Sequence, residues 1–343
     1  MKFGPRPLEQ AAGKILAHNL ADEDGQRLLR KGHRLTDDDV QRLRQLGRTS
    51  VYLAELEAGD LSEEEAAERL ARAAAGAGVR LMGRATGRTN LVATRLGLLM
   101  VDAQRLAQVN ASEGITLASL WDGSVVPQGQ LVASVKVIPY GLAASTVEQI
   151  ESLAASAGPL VEVVPLPAKP VALILQGSTR VRQQLLDSFV PPLQIRIEAW
   201  GSRWLPPRFV AFDGAGDEAR LAQALTETIE AGAGLIVIAG ETAIMDINDL
   251  IPTAIRQAGG HVECFGAPVD PGNLLMLAYL DQVPVVGAPG CARSRKENVV
   301  DWVIPRLLAG QRLSRADIAG LGHGGLLAEI QERPMPRQPD EDA

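Results

Sequence analysis

The chain has 343 residues, of which 46% are apolar and 22% are charged, and its formal net charge is -7. This length allows two or three domains with buried cores, and this composition excludes a disordered chain. The negative balance disfavours a general binder of nucleic acid or anionic membranes, because such proteins need a basic face. No apolar run approaches the ~20 residues of a membrane span, and the N-terminus lacks a secretory apolar segment, so we expect a cytoplasmic protein.

Two helix starts stand out in the first part of the chain. Thr36 with Asp39, and Ser62 with Glu65, each place a hydroxyl before an apolar helical stripe and an acid three residues later. This spacing is typical of a capping box. Together with a strand-like run between the two helices, it predicts a small α+β region over residues 1–78.

The pattern then changes to β structure. Short apolar or alternating runs, separated by Gly and Pro turns, predict a mostly-β sandwich or half-barrel over residues 79–142. A helical stripe begins at Ser145, and three prolines fall within residues 165–170. We therefore expect a helical connector and linker over residues 143–167.

The next region alternates strands with helices. Continuous apolar runs start at Val171 and Leu235, as in strands buried on both faces of a parallel sheet, and helical stripes separate them. This order predicts a three-layer, doubly wound α/β domain over residues 168–312. We assign residues 313–330 to a C-terminal extension, and residues 331–343, which are rich in proline and acid, to a disordered tail.

Four loops are expected to meet at one edge of the predicted sheet. In doubly wound sheets, ligands bind beyond the carboxyl ends of the strands, where the strand order switches. We predict that the ligand is held by residues of these loops, namely Gly177, Ser178 and Thr179; Gly240, Glu241 and Thr242; Asp270, Pro271, Gly272 and Asn273; and Pro289, Gly290, Cys291, Ala292, Arg293 and Ser294.

The last of these loops is the candidate site for an anion. Helical spacing resumes over residues 294–308, so we expect the loop to lead into a helix N-terminus. Unpaired backbone N–H groups, the helix dipole and the side chains of Arg293, Arg295 and Lys296 would then favour a phosphate. Cys291 lies in the same loop, and we expect it to pack as a small residue because no base accompanies it.

Asp246 and Asp249 are a candidate magnesium pair. They are three residues apart near a helix start, so both carboxylates would reach one side of the loop. Helix capping by Asp249 is the alternative interpretation, because Leu250 and Pro252 follow it. Glu241 in the same loop is a candidate acid or pterin-contacting carboxylate, or a solvated loop charge.

Several enzyme classes lack their motifs in this sequence. It contains no Gly-x-Ser-x-Gly nucleophile elbow, no Walker Gly-Lys-Ser/Thr, and no Gly-x-Gly-x-x-Gly after a predicted strand. The four histidines and two cysteines show no zinc-ligand spacing. Hydrolase, P-loop NTPase and nicotinamide dehydrogenase functions are therefore disfavoured.

Two segments resemble the molybdopterin-binding domain of the MoaB/Mog and MoeA type. Residues 260–275 read Gly-His-Val-Glu-Cys-Phe-Gly-Ala-Pro-Val-Asp-Pro-Gly-Asn-Leu-Leu, and residues 283–290 read Val-Pro-Val-Val-Gly-Ala-Pro-Gly. The resemblance covers about residues 168–310. It implies a MoaB/Mog-like domain whose loops bind molybdopterin or the molybdenum cofactor, with magnesium at Asp246 and Asp249.

A narrower resemblance extends over nearly the whole chain. Segments that begin at Met1, Glu241, Val269 and Gly287 are similar to MoeA-like modules that are often fused ahead of a molybdenum-cofactor cytidylyltransferase domain. The chain stops where such a domain would begin, so we expect any nucleotide transfer to need a separate protein. MoeA-like proteins usually dimerise through their N-terminal regions, so a homodimer is a candidate assembly.

The chain departs from the MoeA pattern at two places. Residues 241–244 are Glu-Thr-Ala-Ile where MoeA enzymes have Gly-Gly-x-Ser, and Ala292 stands where they have proline. The loss of two glycines and a serine removes close backbone approach and a hydroxyl, which argues against adenylate handling and metal insertion.

Three functions follow from the resemblance. The first is a binding module for molybdopterin or molybdenum cofactor, active in its biosynthesis, maturation or delivery to molybdenum hydroxylases. The alternative is a MoeA-like molybdopterin molybdenumtransferase that inserts molybdate with release of AMP. The third is a regulator or scaffold that kept the fold and lost the ligand. The expected partners are a pterin phosphate and a separate cytidylyltransferase or molybdenum hydroxylase.

Overall fold

The computed structural model describes residues 1–22 and 24–327, and the chain divides into two compact units. The first unit consists of Met1–Arg95 and Leu99–Val164, and the second of Leu96–Leu98 and the chain from Pro165 onward. The predicted tail, residues 331–343, lies outside the described residues, as does the end of the predicted extension. Within the described part, every helix is too short or too polar to cross a bilayer.

The first unit combines short strands with four helices among its described residues. In chain order these elements are β1 (Lys2–Pro7), β2 (Ile15–Leu16), β3 (Leu20–Ala21), β4 (Arg27–Leu29), α1 (Asp37–Gln45), β5 (Ser50–Glu55), β6 (Asp60–Ser62), α2 (Glu63–Ala74), β7 (Val79–Ala85), β8 (Arg88–Ala93), β9 (Gly97–Val101), α3 (Ala103–Asn110), β10 (Ile115–Ser119), β11 (Val125–Val126), β12 (Leu131–Val137), β13 (Gly141–Ala143), α4 (Ala144–Ala155) and β14 (Val161–Pro165).

Both predicted capping boxes are confirmed. The Thr36 side chain accepts the N–H of Asp39 at the start of α1, and the Asp39 carboxylate accepts the N–H of Thr36. Ser62 and Glu65 do the same at the start of α2. The predicted strand between the two helices is β5, which pairs antiparallel with β1 and β2, and the short strand β6 follows it.

The β-rich part of the first unit surrounds α2. Its sheets have the orders β10-β12-β8-β7 and β11-β9-β14, and their apolar faces share one core with α2 and α4. Helix α3 was not predicted, because residues 79–142 were expected to be mostly β. Its Arg105 is buried and donates to Asp102 and to the carbonyls of Ala154, Gly158 and Pro159, so tertiary contacts stabilise this short helix.

The second unit is an α/β domain, as predicted. In chain order its elements are β15 (Pro170–Gly177), α5 (Arg182–Ala199), β16 (Arg203–Trp204), β17 (Arg208–Ala211), α6 (Asp217–Glu230), β18 (Leu235–Gly240), α7 (Leu250–Gln257), β19 (His261–Phe265), β20 (Met276–Leu280), β21 (Val283–Gly287), α8 (Val299–Leu308) and α9 (Arg315–Gly320).

These strands form one mixed sheet of order β16-β15-β18-β21-β20-β19, with β17 also beside β15. The pairs β15–β17, β15–β18 and β18–β21 are parallel, whereas β20 runs antiparallel to both of its neighbours. The chain moves outward from β15 to β17 and then returns past β15 to β18. The strand order therefore reverses between β15 and β18, and crevices at such reversals are where ligands bind in sheets of this kind.

Strand β15 lies between β18 on one side and the short strands β16 and β17 on the other. From Val171 to Gly177 every residue is buried, as its continuous apolar run predicts. Ala172 and Ile174 join the core that α6 and α7 form with the sheet. Leu173 and Leu175 point to the opposite face, where α5 contacts β15.

Candidate functional site

The carboxyl ends of β15, β18 and β21 bring three of the predicted loops together. The backbone N–H of Ser178 donates to Oε2 of Glu241 at 2.7 Å. The N–H of Glu241 donates to the carbonyl of Gln176 at 2.9 Å. Nη2 of Arg293 donates to the carbonyl of Gly240 at 3.4 Å. The loops 177–179, 240–249 and 288–294 therefore share one edge of the sheet.

The fourth predicted loop, which holds residues 270–273, starts from the same edge. It leads into β20, whose first residue, Met276, pairs with Gly287 at the end of β21. The Asp270–Pro271 peptide bond is cis, and the N–H of Asp270 donates to the carbonyl of Gly325. Gly272 packs closely against Val299, so this loop supports the start of α8.

The candidate site is divided between the two faces of the sheet. On the α5 side, a side chain at Gly177 would contact Cβ of Glu241 and Cδ1 of Leu185, both at 3.0 Å. On the α6–α7 side, Gln176 follows Ala172 and Ile174 along β15. The edge therefore presents two separate surfaces, one next to each helical layer.

Arg293 dominates the surface on the α5 side. Its guanidinium carbon lies 4.5 Å from the ring centroid of Phe189, a buried residue of α5. This cation–π contact and the bond to Gly240 fix an otherwise exposed side chain. Since a guanidinium has five N–H donors, these contacts leave donors for a bound anion.

The Glu241 carboxylate places a negative charge in the crevice itself. It already accepts the N–H of Ser178, which would otherwise be available to an anionic ligand. An anion at Ser178 would be repelled by this carboxylate. The arrangement therefore favours an anion nearer to Arg293 than to Ser178.

The predicted helix N-terminus at the phosphate loop is wrong. Gly290–Arg293 form a 3-10 turn, and α8 begins only at Val299. Asn298 caps α8, and Asp301 closes a capping box around it. Asn298 is 1% exposed and its side-chain amide donates to the carbonyl of Cys291, so the first turn of α8 is covered by the loop itself. The prediction failed because residues 294–298 contain no apolar residue that could mark where the helix begins.

Arg196 of α5 holds this loop, although sequence reasoning did not single it out. The guanidinium is 8% exposed, and its Nε donates to Oδ1 of Asp301 at 2.7 Å. It also donates to the carbonyls of Ser294 and Lys296, both at 2.8 Å. An arginine inside a helix carries no local signal of such a role, because its partners lie about one hundred residues further along the chain.

The candidate magnesium pair has other hydrogen-bond partners. Oδ1 of Asp249 accepts the N–H of Leu250 at 2.9 Å and Oδ2 accepts that of Met245 at 3.0 Å, so the predicted helix capping is confirmed. Oδ1 of Asp246 accepts the N–H of Asn248 at 2.8 Å. Over residues 1–22 and 24–327, no cluster of three or more His, Cys, Asp or Glu side chains is arranged to hold a metal. Two carboxylates fit magnesium only if a ligand supplies phosphate oxygens as well.

Both cysteines are free thiols. Burial raises the pKa of Cys291 to about 11, so the thiol is protonated at neutral pH. A protonated thiol is a weak nucleophile, which supports the packing role that we expected for Cys291. Burial also raises the pKa of Cys264.

A small, shallow depression opens on the α6–α7 side of the edge. It is lined by Gln176, Phe212, Thr242, Ala243, Ile244, Asp249, Leu250 and Ile251. Thr242 and Asp249 were predicted as site residues, whereas Gln176 and Phe212 were not. The sequence does carry a signal for Gln176, because it is a polar residue at the end of a continuous apolar strand.

Comparisons with known proteins give little beyond this geometry. A family model described as "Domain of unknown function (DUF8806)" matches residues 5–55, within the first unit. No curated protein matches the chain. Among solved structures, the chain is similar to a molybdenum cofactor biosynthesis protein from Pyrococcus furiosus with 13% sequence identity and a TM-score of 0.25. The alignment covers 93% of this chain and 65% of that protein, and a TM-score this low does not establish a common fold.

Removal of the Arg196 guanidinium is expected to destabilise the second unit. We predict that Arg196→Met lowers the free energy of unfolding by about 3–5 kcal/mol, because it leaves Asp301 and two loop carbonyls without their partner. Three of the four tryptophans, Trp200, Trp204 and Trp302, lie in this unit, so urea unfolding followed by tryptophan fluorescence measures the change.

Arg203→Met is the matched control for Arg196→Met. It makes the same replacement at an exposed residue of the same unit, so we expect a change within about 0.5 kcal/mol. Equal effects of the two substitutions would show that Arg196 does not hold the loop.

The two Pro-Gly turns should respond differently to the same substitution. Gly272 has a φ of +145°, and a Cβ there would lie 2.5 Å from Cβ of Val299, whereas a Cβ on Gly290 would meet no atom within 4 Å. We expect Gly272→Ala to destabilise the unit by about 1–3 kcal/mol and Gly290→Ala to change it by less than about 0.5 kcal/mol. The same fluorescence measurement applies, and a larger effect at Gly290 would contradict the packing described for the turns.

Proposed function

We propose that the second unit binds molybdopterin or the molybdenum cofactor at the carboxyl edge of its sheet. The chain would then take part in the biosynthesis, maturation or delivery of this cofactor. The observation that carries the proposal is the meeting of the Ser178, Glu241 and Arg293 loops at the point where the strand order reverses. The resemblance of residues 260–290 to the molybdopterin-binding domain supplies the identity of the ligand.

The phosphate of the ligand is assigned to Arg293. Its guanidinium is held by Phe189 and Gly240 in a fixed position at the edge of the sheet, which suits recognition of a phosphate. The neighbouring Gly290 is exposed, and within the described residues no carbonyl accepts a hydrogen bond from its N–H. The two groups together provide a charged donor and a backbone donor on the same loop.

A MoaB/Mog-like arrangement of residues 168–312 is part of this proposal. The two Pro-Gly loops support it because they lie at the same edge of the sheet. Pro271-Gly272 precedes β20 and Pro289-Gly290 follows β21, and these two strands are neighbours. The further partners that we propose are a separate cytidylyltransferase or a molybdenum hydroxylase, which would supply or receive the bound cofactor. A second copy of the chain is a proposed partner as well.

Loss of the Arg293 charge tests the binding function. We expect Arg293→Ala to weaken binding of molybdopterin about tenfold to a hundredfold, because a hydrogen bond to a charged group contributes about 1.5–3 kcal/mol. The measurement is equilibrium dialysis of the full chain against anaerobically purified molybdopterin.

Arg203→Ala is the control for this experiment. It removes the same charge from Arg203, an exposed residue of β16. Arg203 pairs with Pro170 at the amino end of β15, which is the opposite edge of the sheet. Its affinity should equal that of the wild type. Absence of binding by the wild-type chain, or equal loss in both variants, would contradict the proposed function.

The second candidate function is molybdate insertion by a MoeA-like molybdopterin molybdenumtransferase. The observation in its favour is that Asp249 lines the depression and its N–H donates to the carbonyl of Asp246, so two acids lie close together at the edge. This function predicts that the chain, adenylylated molybdopterin, molybdate and magnesium together release AMP, and that Asp246→Ala abolishes the release while ligand binding persists. If the wild type binds the ligand without releasing AMP, the binding function is supported and the transferase function is contradicted.

A further inference from the structure

Exposed apolar side chains cluster beside the loop that follows β18. Among the described residues of the second unit, the large apolar side chains that are exposed are Ile195, Phe212, Met245, Ile247 and Leu327. Three of these five form what we call the apolar patch: Met245 and Ile247 belong to the loop, and Phe212 lines the same shallow depression as Ile244. Single exposed apolar residues are common on protein surfaces, whereas a group of them marks an interaction site.

The loop holds its two patch residues in fixed positions. The N–H of Met245 donates to Oδ2 of Asp249 at 3.0 Å, and the carbonyl of Ile247 accepts from Nη1 of Arg256 at 2.9 Å. Their side chains are nonetheless 68% and 40% exposed. A surface that is already ordered loses little conformational entropy when a partner binds. The apolar patch is therefore a preformed surface.

Three exposed acids surround the apolar patch. Asp213 comes directly after the aromatic residue of the patch, and Glu241 and Asp246 belong to the same loop as its other two residues. Within residues 1–22 and 24–327, none of these carboxylates forms an ion pair, and Glu241 and Asp246 accept backbone N–H groups. Arg256 contributes one positive charge to the loop, so the charge balance around the patch is negative.

This charge selects the kind of partner. In a contact between two copies of the chain through this patch, a two-fold axis would bring the same three acids close to each other. Like charges that face each other destabilise a complex, and a bilayer with anionic headgroups would be repelled in the same way. A protein surface with lysine or arginine side chains around an apolar centre complements both the charge and the apolar character of the patch.

We propose that the apolar patch and its three acids dock a second protein, whose surface presents lysine or arginine side chains around an apolar centre. Met245 is the anchor of this contact, because it is the most exposed residue of the patch and its flexible thioether side chain adapts to a partner. The acids increase the rate of association and orient the partner. This docking does not depend on the proposed function, because it requires no small molecule at the edge.

The test uses a fluorescent amphipathic peptide of leucine and lysine as the probe. A peptide of leucine and glutamate with the same pattern is its counterpart, and binding of each to the full chain is followed by fluorescence anisotropy. We expect the wild type to bind the leucine–lysine peptide about tenfold more tightly than the leucine–glutamate peptide, and added salt to reduce this preference.

Two variants with matched controls locate the binding surface. Met245→Ser removes the apolar anchor and should weaken binding of the leucine–lysine peptide about fivefold to tenfold, whereas Ile195→Ser, at a residue of α5 that is 49% exposed, should have no effect. Asp213→Lys reverses one charge beside the patch and should reduce the preference for this peptide about tenfold. Asp187→Lys makes the same change at an exposed residue of α5 and should not. Circular dichroism of each variant shows whether it is folded.

The outcomes separate this proposal from the alternatives and from the proposed function. A preference for the leucine–lysine peptide that falls in Met245→Ser and Asp213→Lys, but in neither control, supports it. Equal binding of the two peptides, or equal effects of a variant and its control, overturns it. So does a dimer in analytical ultracentrifugation, or binding to anionic vesicles, that Met245→Ser abolishes. The proposed function is tested separately by molybdopterin binding, and its failure leaves the docking surface standing.

Discussion

The parallel pairing of β15 with β17 on one side and β18 on the other is the constraint on which the candidate site depends. It fixes the loops after β15 and β18 next to each other, so that the N–H of Ser178 meets the carboxylate of Glu241. It also places Gln176 beside Gly240, since these two residues are paired in the ladder. A shift of one residue in this register would turn Gln176 to the opposite face of the sheet.

Charge is distributed unevenly along this edge. Glu241 and the two aspartates lie in the loop after β18, whereas Arg293 belongs to the loop after β21 and reaches toward Gly240. The arginine is held by an aromatic ring and by a carbonyl, and neither contact neutralises its charge. Arg196, by contrast, donates its hydrogen bonds to Asp301 and to loop carbonyls, so its role is to hold the loop in shape.

The sequence predicted the features that depend on local patterns. The capping boxes at Thr36 and Ser62 and the buried run from Val171 are encoded within a few residues, and all three are confirmed. Helix α3 and the start of α8 were missed, because contacts distant in the sequence determine them. The capping of α8 by Asn298 is one example, since Arg196 also binds its capping partner Asp301.

The same distinction applies to the candidate site. Glycines and acids near strand ends indicated the loops that meet at the edge, but the residues that line the depression come from several elements that are separate in the sequence. Phe212 follows β17 and Gln176 is near the end of β15, so only the folded sheet shows that they face the same space.

The division of the edge between two faces limits the shape of any molecule that contacts both. Gln176 and Arg293 lie on opposite sides of the layer formed by β15 and β18. A compound that reaches both residues has to bend over the tips of these strands, so its flat part and its charged group must be joined by a flexible or angled spacer. Rigid, straight compounds would occupy one half only, and discrimination among ligands would then depend on their curvature as much as on their functional groups.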